Sequence, residues 1–141
     1  MKFRILIMMF WAIVTIQFAV AQQNGDRVPT TDIIRLVSDA FAKHNAIYNE
    51  RIKGYEDEHT DLRKAIYSAN TELMAIRSLL AGNQMLKRAD YAKLEKPLAD
   101  LTSAIQNVER STNDDELQQS ISNLTTKAKA VKKLIQKIKK H

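Results

Sequence analysis

From Leu117 to Ile138 the apolar residues Leu117, Ile121, Leu124, Ala128, Val131, Ile135 and Ile138 recur at steps of four and three without a break. That period places them on one face of an α-helix and on neither face of a strand. The same spacing recurs upstream. Leu62, Ile66, Ala69, Leu73, Ile76 and Leu80 form a second run, and Tyr91, Leu94, Leu98, Leu101, Ile105 and Val108 a third. Ile34, Val37, Phe41, His44, Tyr48, Ile52 and Tyr55 form another. A helix with one apolar stripe must bury it against another element. The chain is therefore expected to be all-α, an antiparallel helical bundle of four amphipathic helices. Their heptad-like, coiled-coil seams suit crossing angles of about +20°. No strand-like alternation of useful length interrupts this pattern.

The chain holds only two prolines and three glycines, and they mark the boundaries. Helix one is expected from Thr31, its N-cap, to about Lys53, with Asp32 in its first turn and Arg51 and Lys53 ahead of Gly54. Helix two follows the acidic Glu56, Asp57 and Glu58 and stops at Gly82-Asn83. Helix three opens near Asp90, and Pro97 either kinks it or sits in the first turn of its main segment. The polar run 111–116 is the clearest boundary, where Asn113 with Glu116 approximates a capping box for helix four. One alternative stays open. The seams of helices one and two run nearly in phase through Tyr55, with no proline between, so three helices with the first two fused into one long helix also fit.

The N-terminus reads as a processing signal. Lys2 and Arg4 precede an apolar run from Ile5 to Phe18, and Ala19-Val20-Ala21 is a small-residue cleavage site ahead of polar Gln22-Gln23-Asn24. The expected organisation is a signal peptide over 1–21, a flexible leader over 22–30 and the bundle domain over 31–141, giving a secreted, extracellular product without a transmembrane segment after cleavage. There is no cysteine, so packing alone must hold this domain together. Beyond residue 21 the chain has 20 Lys and Arg against 16 Asp and Glu. Seven of those lysines lie in residues 127–141, which contain no acid, and the remainder carries 13 basic against 16 acidic residues. The protein is a mildly acidic body with a basic end.

That basic end is the main candidate site. On a helical wheel Leu124, Ala128, Val131, Ile135 and Ile138 share one side and Lys129, Lys133, Lys137 and Lys140 the other. Lys129, Lys132, Lys133, Lys137, Lys139 and Lys140 form the expected binding set for a polyanion or partner protein. The plainer reading is a solvated bundle face whose cations complement the helix dipole. Asn123-Leu124-Thr125 is an N-x-T sequence, making Asn123 a candidate glycosylation site.

No catalytic residue, metal ligand set or cofactor is expected. Glu56-x-x-His59 echoes half of a di-iron motif, but neither His44 nor His141 has a glutamate three residues before it. There is no nucleophile elbow or phosphate loop. His44 lies on the apolar seam of helix one, where a buried, hydrogen-bonded histidine is the ordinary explanation. The basic run lacks interleaved aromatics, which argues against nucleic acid.

The segment Leu86-Lys87-Arg88-Ala89-Asp90-Tyr91-Ala92-Lys93-Leu94-Glu95-Lys96 resembles a helix junction of the small secreted helical-bundle allergens of mites, groups five and twenty-one. Leu86, Lys87, Arg88, Asp90, Leu94 and Glu95 carry the likeness, over 11 of 141 residues. The chain departs from that family in Pro97 and in its longer lysine-rich last helix. The resemblance implies a three-helix bundle with the first two helices fused, a dimeric option and carriage of hydrophobic ligands. It implies no active site.

The leading expectation is a secreted non-enzymatic binding protein of arthropod type that acts on an extracellular macromolecule or polyanion. The alternatives are an amphipathic carrier of lipid or hydrophobic ligands, apolipophorin-like, and a membrane-active cationic C-terminal helix. A homodimer is compatible with each.

Overall fold

The computed structural model describes residues 26–82 and 85–139. The proposed signal peptide, the first part of the leader, Asn83, Lys140 and His141 lie outside the described residues. Four α-helices dominate: α1 (Thr31–Ile47), α2 (Thr60–Ala81), α3 (Arg88–Arg110) and α4 (Asp114–Lys139). Two short strands, β1 (Arg27–Pro29) and β2 (Met85–Lys87), pair antiparallel with Val28 opposite Leu86. The fold is an all-α bundle.

The break between the first two helices falls where glycine was expected to put it, so the fused-helix alternative does not hold. α1 ends in a wider π turn over Tyr48–Ile52, closed by Lys53 N–H donating to the Tyr48 carbonyl at 2.9 Å. That turn has a packing consequence. In a regular helix Ile52 would sit about 80° from the His44 face, at 100° per residue. The wider turn brings it back, and Ile52 is fully buried. Gly54 then takes φ +89°, the left-handed region, and the chain reverses.

Tyr55, expected on the seam, instead lies in this loop and is 61% exposed. The buried line of α1 is Ile33, Val37, Ala40 and His44, with Ile34, Phe41 and Tyr48 only half-buried beside it. The seam is thus rotated by about 50° from the expected one, at 100° per residue, and keeps Val37 and His44. The aromatic Phe41 and Tyr48 flank the core, and Ile33, Val37, Ala40 and His44 enter it.

The α2 seam is buried at every expected position, and so is that of α4 from Leu117 to Ile135. α3 is one continuous helix with Pro97 well inside it, so the proline occupies neither a first turn nor a boundary. At α4 the capping arrangement is real. Glu116 N–H donates to Asn113 Oδ1 at 2.9 Å, and Glu116 Oε2 accepts from the Thr112 N–H and hydroxyl at 3.1 Å each. The return bond reaches one residue before the cap. At α1 the cap is Thr30, not Thr31, and its hydroxyl makes no capping bond.

Helix directions follow from which ends meet. Arg51 and His59, at the end of α1 and the start of α2, both reach Asp114 at the start of α4. Glu72 meets Lys132, and the Leu79 carbonyl meets Lys139, both across a separation of sixty residues. α2 and α4 therefore run parallel. β1 and β2 lead into α1 and α3 side by side, and Lys43 pairs with Glu109 near their far ends, so α1 and α3 also run parallel. Directions alternate along the chain, but parallel helices are neighbours. α4 packs on both α2 and α3, and α1 packs chiefly on α2.

The strand pair was not expected. Residues 27–30 belong to the leader taken as flexible, yet Val28 is 8% exposed and Thr30 fully buried. The ladder ties the chain before α1 to the chain before α3, closing the open end of the loosely packed α1–α3 pair.

Candidate functional site

The lysine-bearing face of α4 resolves into two sets. Lys132 and Lys139 lie seven residues apart on the flank that meets α2. Lys132 Nζ lies 2.5 Å from Glu72 Oε2. Lys139 Nζ donates to the Leu79 carbonyl at 2.6 Å, satisfying an orphan acceptor in the last turn of α2. Both therefore hold helices together.

Lys129, Lys133 and Lys137 form the second set. They are exposed, stand four residues apart, and make no ion pair among the described residues. At 1.5 Å rise per residue their stems are about 6 Å apart along the axis. Three cations in a row with no neutralising acid make a local positive field open to water. Lys140, expected on the same side, lies outside the described residues. No family model, curated protein or solved structure matches the chain.

Asn123 is exposed on the same helix. The Thr125 hydroxyl donates to the Ile121 carbonyl at 3.0 Å, and both residues are held in helical backbone. A glycan there would point into solvent, and its attachment would have to precede folding of α4.

Glu56 and His59 do not converge. The Glu56 carboxylate is held below its ordinary range by backbone N–H groups of residues 56 and 54, and further by Arg63 and the Tyr48 hydroxyl. His59 Nδ1 instead lies 3.3 Å from Asp114 Oδ2. Among the described residues no three His, Asp or Glu side chains group as metal ligands would.

His44 is the deepest titratable group, 1% exposed. Its Nδ1 lies 2.9 Å from Asn70 Oδ1, so in the neutral ring Nδ1–H donates to that amide oxygen. Burial lowers its pKa and the Asn70 bond partly opposes this. It links α1 to α2 as a core residue.

Two open grooves lie outside the α1–α2 junction, and Tyr48, Arg63 and Tyr67 line both. None of the three stood among the expected site residues. The signal was present: Arg63, Tyr67, Met74 and Arg77 share a second period on helix two, masked by the stronger Leu/Ile seam. Among the described residues no helix is long and apolar enough to cross a membrane.

Proposed function

We propose that this is a secreted, non-enzymatic bundle protein that binds an extracellular polyanion through the outer face of α4. The observation that carries this reading is the row Lys129, Lys133 and Lys137, exposed and without acidic partners among the described residues, while Lys43, Lys93 and Lys132 are ion-paired. Unpaired surface cations in a line gain most from a ligand that itself carries charge at regular intervals. The same face supports an acidic segment of a protein as the polyanion. The signal-like residues 1–21 support export, and N-terminal sequencing of protein collected from the medium should then begin at Gln22.

The other two readings ask for an unfolded bundle. The apolar side of 127–139 is packed in the core, with Ala128, Val131 and Ile135 fully buried. A free amphipathic tail, or seams opened onto lipid, would require that packing to be lost.

Truncating α4 would remove core residues, so the test uses substitution. Retention on immobilised heparin is measured over a salt gradient for the mature chain, for Lys129→Gln/Lys133→Gln/Lys137→Gln, and for a control triple at exposed Lys53, Lys87 and Lys96. The proposal expects the α4 triple to elute at clearly lower salt and the control to stay near the parent. Equal shifts in both triples would reduce the effect to net charge. Flow-through of the parent at low salt would overturn the reading.

A further inference from the structure

Beside its core seam α2 carries a second stripe. Arg63, Tyr67, Asn70, Met74 and Arg77 stand at steps of four, three, four and three, which aligns them along one side of the helix. Asn70 is turned to His44. Arg63 and Tyr67 front the outside of the α1–α2 junction, and helical spacing continues the stripe through Met74 and Arg77; Tyr67 is 78% and Met74 42% exposed. Tyr67, with Tyr48 and Arg63, borders an open groove of about 240 Å³. Single exposed apolar side chains are ordinary on soluble proteins. Here two of them share the spacing of a packing seam, with an arginine at each end. That is the form of a surface made to receive another helix.

Charge and symmetry select the occupant. Arg63, Lys64 and Arg77 are cationic, and across the groove Asn45, with Ser38 and Asn49 at helical spacing from it, is neutral. Glu56 stands at the loop end, bonded to Tyr48 and within the field of Arg63, so it offsets only part of that end's positive charge. A second copy lying antiparallel across the stripe would set Arg63 against Arg77 at both ends, and a parallel copy would set each arginine against itself. Either symmetric pairing juxtaposes like charges. An acidic partner meets no such penalty.

We propose that this α2 stripe docks an amphipathic helix of another protein, whose apolar side chains cover Tyr67 and Met74 and whose carboxylates meet Arg63 and Arg77. The arginines are fourteen residues apart, about 21 Å along the axis. The partner helix therefore spans at least four turns, with acids near both ends of its apolar stripe. This surface is separate from the lysine row of α4.

The probe is a dye-labelled 22-residue peptide of leucine heptads flanked by glutamates, with a second peptide carrying lysine for each glutamate. Anisotropy is read against the mature protein at physiological salt. The glutamate peptide saturates and the lysine peptide does not. Arg63→Glu/Arg77→Glu weakens the glutamate peptide at least tenfold and lets the lysine peptide bind, a gain that misfolding cannot produce. Tyr67→Ser/Met74→Ser weakens both charge pairings, while the control triple Lys53→Gln/Lys87→Gln/Lys96→Gln leaves binding unchanged. Insensitivity to the α2 variants, or an equal loss in the control triple, overturns the proposal. So does a dimer in sedimentation of the parent that dissociates with Tyr67→Ser/Met74→Ser, since the occupant would then be a second copy. The α4 triple and the heparin test stand or fall separately from this result.

Discussion

Lys132 of α4 and Glu72 of α2 form an ion pair at 2.5 Å with side chains only 23% and 11% exposed. Glu72 Oε2 is buried and makes no aligned hydrogen bond among the described residues, so the ammonium is what offsets its loss of water. A pair this sheltered costs more to break than to replace. Glu72→Ala and Lys132→Ala should each destabilise by about 1–2 kcal/mol, less than a fully buried pair because water still reaches the lysine. Glu72→Leu/Lys132→Leu should return to within about 1 kcal/mol of the parent. Urea unfolding of the parent, the two alanine variants and Glu72→Ala/Lys132→Ala completes the cycle, and additive losses in that double variant would show that the pair is not coupled.

The cap of α4 gives a second test. Asn113 Oδ1 receives the Glu116 N–H, and Asn113→Ala should cost about 1 kcal/mol in a denaturant melt. Glu116 is held below its ordinary range by the Thr112 N–H, then by the Thr112 hydroxyl and Asn113. A depressed carboxylate contributes stability present above its unfolded pKa and lost as pH falls through its folded pKa. Glu116→Gln should therefore lower stability at neutral pH and flatten its decline below about pH 4.5, the ordinary value.

These two features differ in how far the sequence discloses them. Asn113 and Glu116 are three residues apart, and a local motif is legible wherever its partners are neighbours. The α2 and α4 seams are legible for the same reason, since every buried residue repeats the period. The Glu72–Lys132 pair is not, because a heptad stripe says that a helix packs without saying on which partner or in which direction. The hint was that Lys132 and Lys139 stand seven apart beside the seam, as interhelical pairs do. The β1–β2 ladder joins residues 27–29 to 85–87. Three residues a side are too few to show alternation. In α1 the apolar residues spread over more than one stripe, so spacing alone could not decide between Ile33 and Ile34. The lysine row of α4 was legible as a row, and its division into exposed and packing members awaited the position of α2.

His44 predicts a pH dependence of definite sign. Its folded pKa lies below the ordinary 6.5, chiefly through burial, so the unfolded chain takes up a proton first as pH falls. Stability is full above about pH 7 and declines from there down to the folded pKa. In a His59→Gln background, which removes the histidine beside Asp114, the parent should lose stability between pH 8 and 5. His44→Gln in the same background should lose less across that interval, from a lower starting point. A profile with the same slope in both would show that His44 charges freely in the fold.

At the alkaline end the relevant group is Tyr91, at the start of α3. Burial, with Asp32 and Glu95 nearby, pushes its hydroxyl up to about 12 from 10.0. A raised pKa contributes stability that is complete below pH 10 and lost as pH rises toward 12, because the unfolded chain ionises first. Tyr91→Phe should remove the last step of the tyrosine absorbance titration. It should also flatten the fall in stability above pH 10.

Gly54 and Gly82 separate backbone strain from crowding. A Cβ at either position meets nothing within 4 Å, so steric contact cannot distinguish them. Gly54 has φ +89°, whereas Gly82, at the end of α2, has φ −89°. Gly54→Ala must place an L side chain in the left-handed region, at a cost of about 1–2 kcal/mol. Gly82→Ala adopts a backbone open to any residue and restricts the unfolded chain, so it should be neutral or stabilising by up to about 1 kcal/mol. Chemical denaturation of the two variants reads the difference directly. The position of the break has a further consequence. If the loop were free to straighten, Gly54→Ala would favour the continuous α1–α2 helix, and the altered protein would exchange helices between chains and sediment as a dimer. The burial of Ile52 beside the π turn, and the joint hold of Arg51 and His59 on Asp114, oppose that extension. Gly54→Ala should therefore remain in the parent's oligomeric state and simply be less stable. A dimer appearing only in that variant would show that these contacts are too weak to fix the turn.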